Sequence, residues 1–474
     1  MNTTALSASP QTTGRNFRML VVATCVSSLG GFLFGYDNIV ISGAIGYLTR
    51  TFNLDSAGIG WAAGCALIGC LLGSAGAGWV ADRIGLKKSL GICAACFAGS
   101  SAGVFFSFSL TDFVIWRILG GVGIGAASIL APMYIAEIAP TRVRGRLVTL
   151  YQLGIVLGIF SAVLVNMLIQ RSGTEEWNLV IGWKWMFLAG IVPAALFGGA
   201  IFPSLESPRW LMKVGRRAEA DAVLVAINGQ ETGRVEATAI RASLVAEEGK
   251  FSELLTGGFR RALMLGILIA GLSQASGITP LFSYLPEIFK AAGTRAGDAF
   301  FQSVLVSVIN TVFTLLALWL VDRAGRRRLL ILGTSLQTIA FAVVGLLYFV
   351  GGHPFGIVAG VMTFVAGHAV GNGVVGWVII SEIFPTKLRG RAMSVATTSL
   401  WIFAYLGNQV FPVMQAGLGN HGVFWVFAFM AFANVLFSVF GVPETSGRSL
   451  EDIEKLFVST TSSAHRAATA FSGE

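Results

Sequence analysis

The sequence predicts an all-α membrane protein with twelve transmembrane helices in two six-helix halves and short cytoplasmic helices between the halves. Three observations support this fold class. Apolar residues make up 54% of the chain and charged residues 12%, whereas soluble proteins average roughly 45–50% and 25%. The apolar residues form runs of about 20, the length that crosses the hydrocarbon as a helix. The chain also contains an internal repeat.

Each apolar run is expected to be a helix, because lipid offers a bare backbone no hydrogen-bond partners. A transmembrane β-barrel would show alternation of apolar and polar residues instead of continuous runs. The first six runs lie near 19–46, 58–80, 88–109, 113–136, 147–170 and 184–203. The second six lie near 262–288, 299–321, 329–350, 355–381, 392–415 and 421–442.

These runs divide the chain into five predicted parts. A cytoplasmic N-terminal tail (1–18) precedes the first six-helix bundle (19–203), and a cytoplasmic C-terminal tail (443–474) follows the second (262–442). The linker between the bundles (204–261) mixes basic and acidic residues, which is typical of solvated helical faces. Within it, Ser207-Pro208 combines a helix N-cap with proline at the first helical position, which predicts short helices there.

Charge distribution predicts the orientation in the membrane. Most of the 33 Lys and Arg residues lie in connections on the same side as the N-terminus, for example Arg142, Arg144 and Arg146. Basic residues accumulate in cytoplasmic loops, so both termini are expected in the cytoplasm. The predicted outer loops contain no Asn-x-Ser/Thr sequence and the first is short, which favours a bacterial inner membrane.

Two motifs of the first half return in the second. Trp79-Val-Ala-Asp82-Arg83-Ile-Gly85 returns as Trp319-Leu-Val-Asp322-Arg323-Ala-Gly325, and the run 137–146 returns at 382–391. Copies with the same orientation require an even number of helices in each half, which agrees with six plus six. Transporters with two parallel halves bind substrate between the halves near the middle of the membrane.

Together the motifs resemble those of the sugar porter branch of the major facilitator superfamily, over nearly the whole chain. The marks are Gly31-Phe-Leu-Phe34-Gly35-Tyr36-Asp37, Asp82-Arg83-Ile-Gly85, Arg117-Ile-Leu-Gly120-Gly121, Pro132-Met-Tyr134-Ile-Ala-Glu137, Glu206-Ser-Pro-Arg209, Asp322-Arg323-Ala-Gly325 and Pro443-Glu444-Thr. The resemblance implies the major facilitator fold and transport of a hexose, pentose or polyol. Some members are proton symporters and others are uniporters.

Asp37 and Arg117 are charged residues inside the first and fourth predicted spans, both toward the outer side. Ionisable residues within membranes are costly and commonly functional. One interpretation is a static ion pair that stabilises the first half. The other is a proton switch, in which Asp37 takes a proton once Arg117 moves away. The resemblance favours the switch, since proton-coupled members carry Asp at this position and uniporting glucose carriers typically carry Asn.

Breaks in the first helix of each half point to the substrate path. The first span carries Gly30, Gly31 and Gly35, and the seventh carries Gly277 and Pro280, so both are expected to be interrupted. By resemblance, several polar and aromatic residues match substrate-contacting positions, although each could instead bond a neighbouring helix or fill the core. These predicted substrate-binding residues are Gln152, Gln274, Thr279, Asn310, Trp377 and Trp401.

Some positions depart from the family pattern. Ser273, Thr279 and Leu400 stand where members usually carry an amide side chain, and Val374 stands where they carry proline. The hydrogen-bond pattern around the substrate is therefore expected to differ from that of typical members. Additional amides that could compensate are Asn372, Asn408 and Gln409.

Acidic residues recur at fixed places within the basic clusters at the inner helix ends. Solvation and topology alone would explain basic residues there, but not the recurring carboxylates. The resemblance implies salt bridges between the halves that close an inner gate. The predicted gate network comprises Asp82, Arg83, Glu137, Arg144, Glu206, Arg209, Asp322, Arg323, Glu382, Arg389 and Glu444.

The function favoured by these features is import of a monosaccharide by proton symport with alternating access. A facilitative uniporter and a non-transporting sugar sensor are the alternatives. An enzyme is not expected, since the sequence has no nucleophile elbow, P-loop or cluster of metal ligands. The expected partners are a small-molecule sugar, a proton and the lipid bilayer, with no nucleic acid, no cofactor and no metal. The protein is expected to function as a monomer.

Overall fold

The computed structural model describes residues 10–139, 144–245, 251–255, 257–384, 388–446 and 453. Every regular element within these ranges is a helix. Eleven helical stretches are long and apolar enough to cross a membrane. The last, Arg389–Phe440, has 52 residues and is divided at Gly419, whose φ of 68° and ψ of 174° are not helical. The division gives twelve membrane helices among the described residues, as predicted.

The helices follow the predicted order, with ends that extend beyond several predicted spans. Those of the first half are α1 (Pro10–Thr51), α2 (Ser56–Ile84), α3 (Leu86–Phe105), α4 (Leu110–Ile138), α5 (Arg144–Ser172) and α6 (Glu175–Ile201). Those of the second are α7, which begins at Gly257, α8 (Ala296–Ala324), α9 (Arg326–Val350), α10 (Pro354–Ile383), and α11 and α12, before and after Gly419.

The connection between the halves is helical, as the Ser207-Pro208 cap predicts. Its short helices are Pro208–Lys213, Arg217–Asn228 and Gln230–Val245, followed by a 3₁₀ turn at Phe251–Leu255. The Ser207 hydroxyl accepts a hydrogen bond from the Trp210 N–H, and Pro208 occupies the first helical position. The local sequence therefore accounts for where the first of these helices begins.

Helix α1 is continuous, so the predicted interruption at its glycines is wrong. A Cβ atom on Gly31 would lie 2.3 Å from the Tyr151 carbonyl oxygen, and one on Gly35 would lie 2.0 Å from that of Ile155. Both carbonyls belong to α5. The glycines thus allow close packing of two helix backbones, and the chain stays helical because lipid cannot satisfy a freed backbone group.

Helix α7 is broken where the sequence predicts. Its segments are Gly257–Ala275, Ile278–Ser283 and Leu285–Ala291. Gly277 has a φ of +94°, in the left-handed region that favours glycine. A side chain there would also meet the Phe427 ring of α12 at 2.7 Å. The interruption therefore depends on glycine for both backbone conformation and space.

Helix α4 packs against α2 through the small residues that follow Arg117. A Cβ atom on Gly121 would lie 2.0 Å from the Ala66 carbonyl oxygen, and one on Gly125 would lie 2.0 Å from that of Cys70. These contacts pack the small residues of α4 directly against the backbone of α2. The close approach of the two backbones fixes the position of α4 along α2. It thereby also fixes the position of Arg117, which lies one helical turn before Gly121.

The two halves touch at the ends of α2 and α11, on the side opposite the basic clusters. The Asn408 side-chain amide donates to the Ala63 carbonyl at 3.4 Å, and that of Gln409 donates to the Ala57 carbonyl at 3.1 Å. A Cβ atom on Gly60 would lie 2.4 Å from the Gln409 carbonyl oxygen. The predicted outer ends of the halves are therefore held together in this structure.

Candidate functional site

Asp37 and Arg117 form a buried ion pair between α1 and α4. Arg117 Nη1 lies 2.9 Å from Asp37 Oδ2, and Arg117 Nη2 donates to the Asp37 carbonyl oxygen at 3.1 Å. The side chains are 1% and 10% exposed, respectively. The sequence-predicted pair is thus brought together, with one guanidinium bound to both the carboxylate and the main chain of Asp37.

The neighbours of the pair include an aromatic ring and a serine hydroxyl. The Arg117 guanidinium lies 5.1 Å from the Phe187 ring centroid, and its Nε has no hydrogen-bond partner among the described residues. A Cβ atom on Gly120 would lie 2.5 Å from Ser100 Oγ and 3.7 Å from Asp37 Oδ2. Arg117 thus places a positive charge directly against the Asp37 carboxylate.

Two predicted substrate-binding residues meet across the break in α7. Thr279 Oγ1 donates to Gln274 Oε1 at 2.6 Å, and Gly277 lies between them in the chain. Both side chains are partly exposed. The left-handed turn at Gly277 therefore brings a hydroxyl and an amide into one polar group, which could donate to and accept from sugar hydroxyls.

Trp401 joins the second half to the first through an aromatic contact. Its ring centroid lies 5.7 Å from that of Phe34 in α1. The residue is 3% exposed, and its indole Nε1 has no acceptor in the part of the chain that the structure describes. A buried indole N–H normally finds a partner, and contact of this donor with a sugar stays a prediction.

The remaining predicted substrate-binding residues come from both halves. Gln152 lies on α5 and Asn310 on α8, two helices that pack against each other. Asn310 is 5% exposed, whereas Gln152 and Trp377 are partly exposed. Trp377 directly follows a π-helical segment of α10, Ala369–Gly376, and such segments are frequent at functional sites. Their contact with a sugar stays a prediction.

The carboxylates of the predicted gate network have local partners in the first half. Glu206 accepts hydrogen bonds from the Lys87 N–H at 3.1 Å and the Ser207 N–H at 3.0 Å. Glu137 accepts from the Ser207 hydroxyl, and Lys213 Nζ lies 2.9 Å from Asp82 Oδ1. Glu206 therefore places negative charge at the N-terminus of α3, where the helix dipole favours it.

The second half repeats this arrangement. Glu444 accepts hydrogen bonds from the backbone N–H groups of Arg326 at 3.0 Å and Arg327 at 3.2 Å, at the N-terminus of α9. Arg326 Nη2 lies 2.9 Å from Asp322 Oδ1 and 3.5 Å from Glu382 Oε1. The sequence repeat thus corresponds to a repeated helix-capping structure.

The basic members of the network also contact their own half. Arg83 lies over the Trp79 ring at 3.8 Å, and Arg323 lies over the Trp319 ring at 4.3 Å. Arg389 donates to the Phe384 carbonyl at 3.4 Å, and Arg209 is exposed. The Arg144 side chain lies outside the described residues. Salt bridges between the halves stay a prediction, since each contact above joins groups of one half, or of one half and the segment that follows it.

Sequence reasoning missed an ionisable residue inside α10. His368 lies in a predicted span, immediately before the π-helical segment, and its Nδ1 is buried without a partner among the described residues. Histidine counts as neutral in the formal charge, so it does not stand out in an apolar run as Lys, Arg, Asp or Glu does. A search for every polar ring in an apolar run would have found it.

Comparisons with known proteins agree with the predicted fold and family. Residues 22–457 match the family described as "Sugar (and other) transporter". The chain is 38% identical to the arabinose-proton symporter of Bacillus subtilis (strain 168), over 95% of this chain and 97% of that protein. It is 34% identical to the D-xylose-proton symporter of Escherichia coli (strain K12), over 94% and 97%.

Solved structures show the same architecture. A xylose transporter of E. coli in a partially occluded inward-open conformation matches with a TM-score of 0.82 and 33% identity, over 91% of this chain and 100% of that chain. The proton:xylose symporter bound to 6-bromo-6-deoxy-D-glucose, a major facilitator superfamily protein, matches with a TM-score of 0.79 and 34% identity, over 93% and 100%.

Proposed function

Because this chain belongs to the sugar transporter family, we propose that it imports a monosaccharide by proton symport with alternating access. The buried pair of Asp37 and Arg117 carries the proposal, since ionisable residues inside a membrane are costly and commonly functional. Relatives named as arabinose-, D-xylose- and galactose-proton symporters support it. The substrate class is a hexose, a pentose or a related polyol.

Asp37 is the proton carrier in this mechanism, and Arg117 controls its charge. While the two side chains are 2.9 Å apart, Asp37 stays ionised. When α1 and α4 shift relative to each other, Arg117 withdraws and the carboxyl group takes a proton from the outer side. Re-formation of the pair after sugar and proton have moved inward expels the proton to the cytoplasm.

The sugar binds between the halves, near the break in α7. Gln274 and Thr279 provide hydrogen bonds to hydroxyl groups, and Trp401 offers an indole N–H together with an apolar face. Gln152, Asn310 and Trp377 complete the proposed site from α5, α8 and α10. Their placement on helices of both halves fits a site that opens to one side or the other as the halves rock.

The inner gate and the orientation complete the proposal. The protein lies in a cell membrane, which in bacteria is the inner membrane, and both of its termini are in the cytoplasm. It functions as a monomer. When the inner ends approach, the basic residues of one half exchange their local partners for the carboxylates of the other. Glu206 and Glu444, which cap helices in this structure, supply negative charge close to those ends.

Sugar-induced proton uptake tests the proposal. The purified protein is placed in vesicles with an internal pH-sensitive dye, and D-xylose, arabinose, D-galactose or D-glucose is added outside. A symporter acidifies the vesicle interior when the accepted sugar enters. Sugar entry without any pH change would identify a facilitative uniporter, and absence of entry for all four sugars would leave the sugar class unsupported.

A further inference from the structure

His368 lies on a partly exposed face of α10 that leads to Trp377. Between residues 364 and 376 every residue is buried except His368 and Gly373. A Cβ atom on Gly373 would lie 3.6 Å from His368 Cδ2 and 3.7 Å from its Nε2, so the ring lies over this glycine. Trp377 follows four residues after Gly373, which places it on the same face.

The His368 ring has unused hydrogen-bonding capacity. Its Nδ1 is buried and has no partner among the described residues. The π-helical segment beside it packs against α7, α8 and α9, whose Lys, Arg, Asp and Glu residues lie at the helix ends. An unpaired charge inside the bundle is costly, so the ring is neutral, with one nitrogen that donates and one that accepts.

We propose that His368 is a sugar-recognition residue whose imidazole hydrogen-bonds one hydroxyl group and thereby sets which monosaccharides the protein accepts. The inference rests on the proposed transport of a monosaccharide. Ser273 and Leu400 leave the site with fewer amides than the family pattern supplies, and the imidazole restores a donor and an acceptor. A hydrogen bond to a sugar hydroxyl would satisfy a ring nitrogen that has no partner among the described residues.

Sugar exchange with deoxy analogues tests this role. The variants are His368→Phe and His368→Leu, which both lack a ring nitrogen, and His368→Gln, which keeps a donor and an acceptor. His353→Phe, at the exposed N-cap of α10, is the matched control. The half-saturating concentration is measured for the best exchanged of D-xylose, arabinose and D-galactose, and for each of its monodeoxy analogues. Exchange is chosen because it requires no net proton movement.

His368→Phe and His368→Leu are expected to raise the half-saturating concentration about tenfold, the loss of one hydrogen bond of about 1.4 kcal/mol. In both variants, removal of one particular hydroxyl from the sugar should cause no further loss, whereas in the wild type it costs about tenfold. His368→Gln should stay within about threefold of the wild type, and His353→Phe should match it. Because two variants lack the ring nitrogens, the test can still be carried out with one of them if the other does not fold.

Two results would overturn the role of His368. Wild-type affinity in both the Phe and Leu variants would show that no hydrogen bond was lost. Equal sensitivity of variants and wild type to the removal of every hydroxyl would show that His368 only packs against the neighbouring helices. A wild-type protein that exchanges none of the three sugars would instead overturn the proposed function, and the role of His368 with it.

Discussion

Arg117 binds Asp37 at two places, with Nη1 2.9 Å from the carboxylate oxygen Oδ2 and Nη2 3.1 Å from the main-chain carbonyl oxygen. The two partners are therefore not equivalent. An amide at position 37 would keep an oxygen for Arg117 to bind, and the main-chain contact would remain. An apolar residue at position 117 would leave the buried carboxylate without its cation.

This asymmetry predicts different losses of stability. Arg117→Ala should destabilise the protein by about 3–5 kcal/mol, because both contacts with residue 37 are lost and truncation of this buried side chain leaves a cavity. Asp37→Asn should cost less, since the asparagine side-chain oxygen and the main-chain carbonyl of residue 37 can still accept hydrogen bonds from Arg117. The melting temperatures of both variants in detergent provide the comparison. A melting temperature for Arg117→Ala equal to or above that of Asp37→Asn would contradict the geometry of the pair.

Gln274 is expected to determine sugar affinity. Gln274→Ala should weaken sugar binding by about 1–3 kcal/mol, because a hydrogen-bonding group of the site is lost. Thr279→Val, which removes only the hydroxyl that donates to Gln274 Oε1, should have a smaller effect because the amide remains. Leu400→Asn should change the ranking of sugars by adding an amide beside Trp401. Binding titrations with several sugars measure all three, and an unchanged affinity and ranking would place the site elsewhere.

Closure of the outer side is expected to depend on the close approach of Gly60 to α11. Gly60→Leu would place a side chain against the Gln409 carbonyl, 2.4 Å from the Cβ position, and hold the outer ends apart. Sugar exchange in vesicles should then fall strongly while binding from the outside persists. Gly78→Leu, on the same helix with nothing within 4 Å of its Cβ position, should exchange normally. Equal exchange rates in the two variants would rule out this closure.

The predicted inner gate leads to an accessibility experiment. Arg144→Ala or Arg389→Ala should weaken closure of the inner ends, because each removes a cation that the opposite half would bind. In a background without native cysteines, a cysteine at Gln152 should then react faster with a thiol reagent applied from the cytoplasm. If labelling stays at the reference rate in both variants, the gate does not depend on these cations.

The sequence predicted which segments cross the membrane, because apolar run length decides that directly. It also predicted the break in α7, because Gly277 and Pro280 interrupt the helix through their own backbone properties. The same reasoning was wrong for α1, since glycine in a membrane helix serves backbone packing as readily as interruption. In α1 the glycines make room for α5, whose Tyr151 and Ile155 carbonyls lie beside them. This packing could not be predicted locally, because α5 is more than a hundred residues away in the sequence.

For the charged residues too, the sequence predicted some contacts, whereas others depend on the tertiary structure. The pairing of Asp37 with Arg117 could be predicted, because two opposite charges at similar depth in a membrane attract each other strongly. The capping role of Glu206 and Glu444 could not, since it depends on how the chain returns to the N-termini of α3 and α9. The repeated capping of α3 and α9, and the lack of a partner for His368 Nδ1 among the described residues, likewise depend on tertiary packing.

The most direct measurement is accumulation of the accepted sugar in energised vesicles, with and without a protonophore, for the wild type and Asp37→Asn. The wild type should concentrate sugar, and the protonophore should abolish this. A charge moved through 100 mV provides about 2.3 kcal/mol, which sustains roughly a fifty-fold gradient. Asp37→Asn should fail to accumulate sugar but still exchange it. Accumulation by Asp37→Asn, or a wild type that only equilibrates sugar and ignores the protonophore, would contradict proton coupling through Asp37.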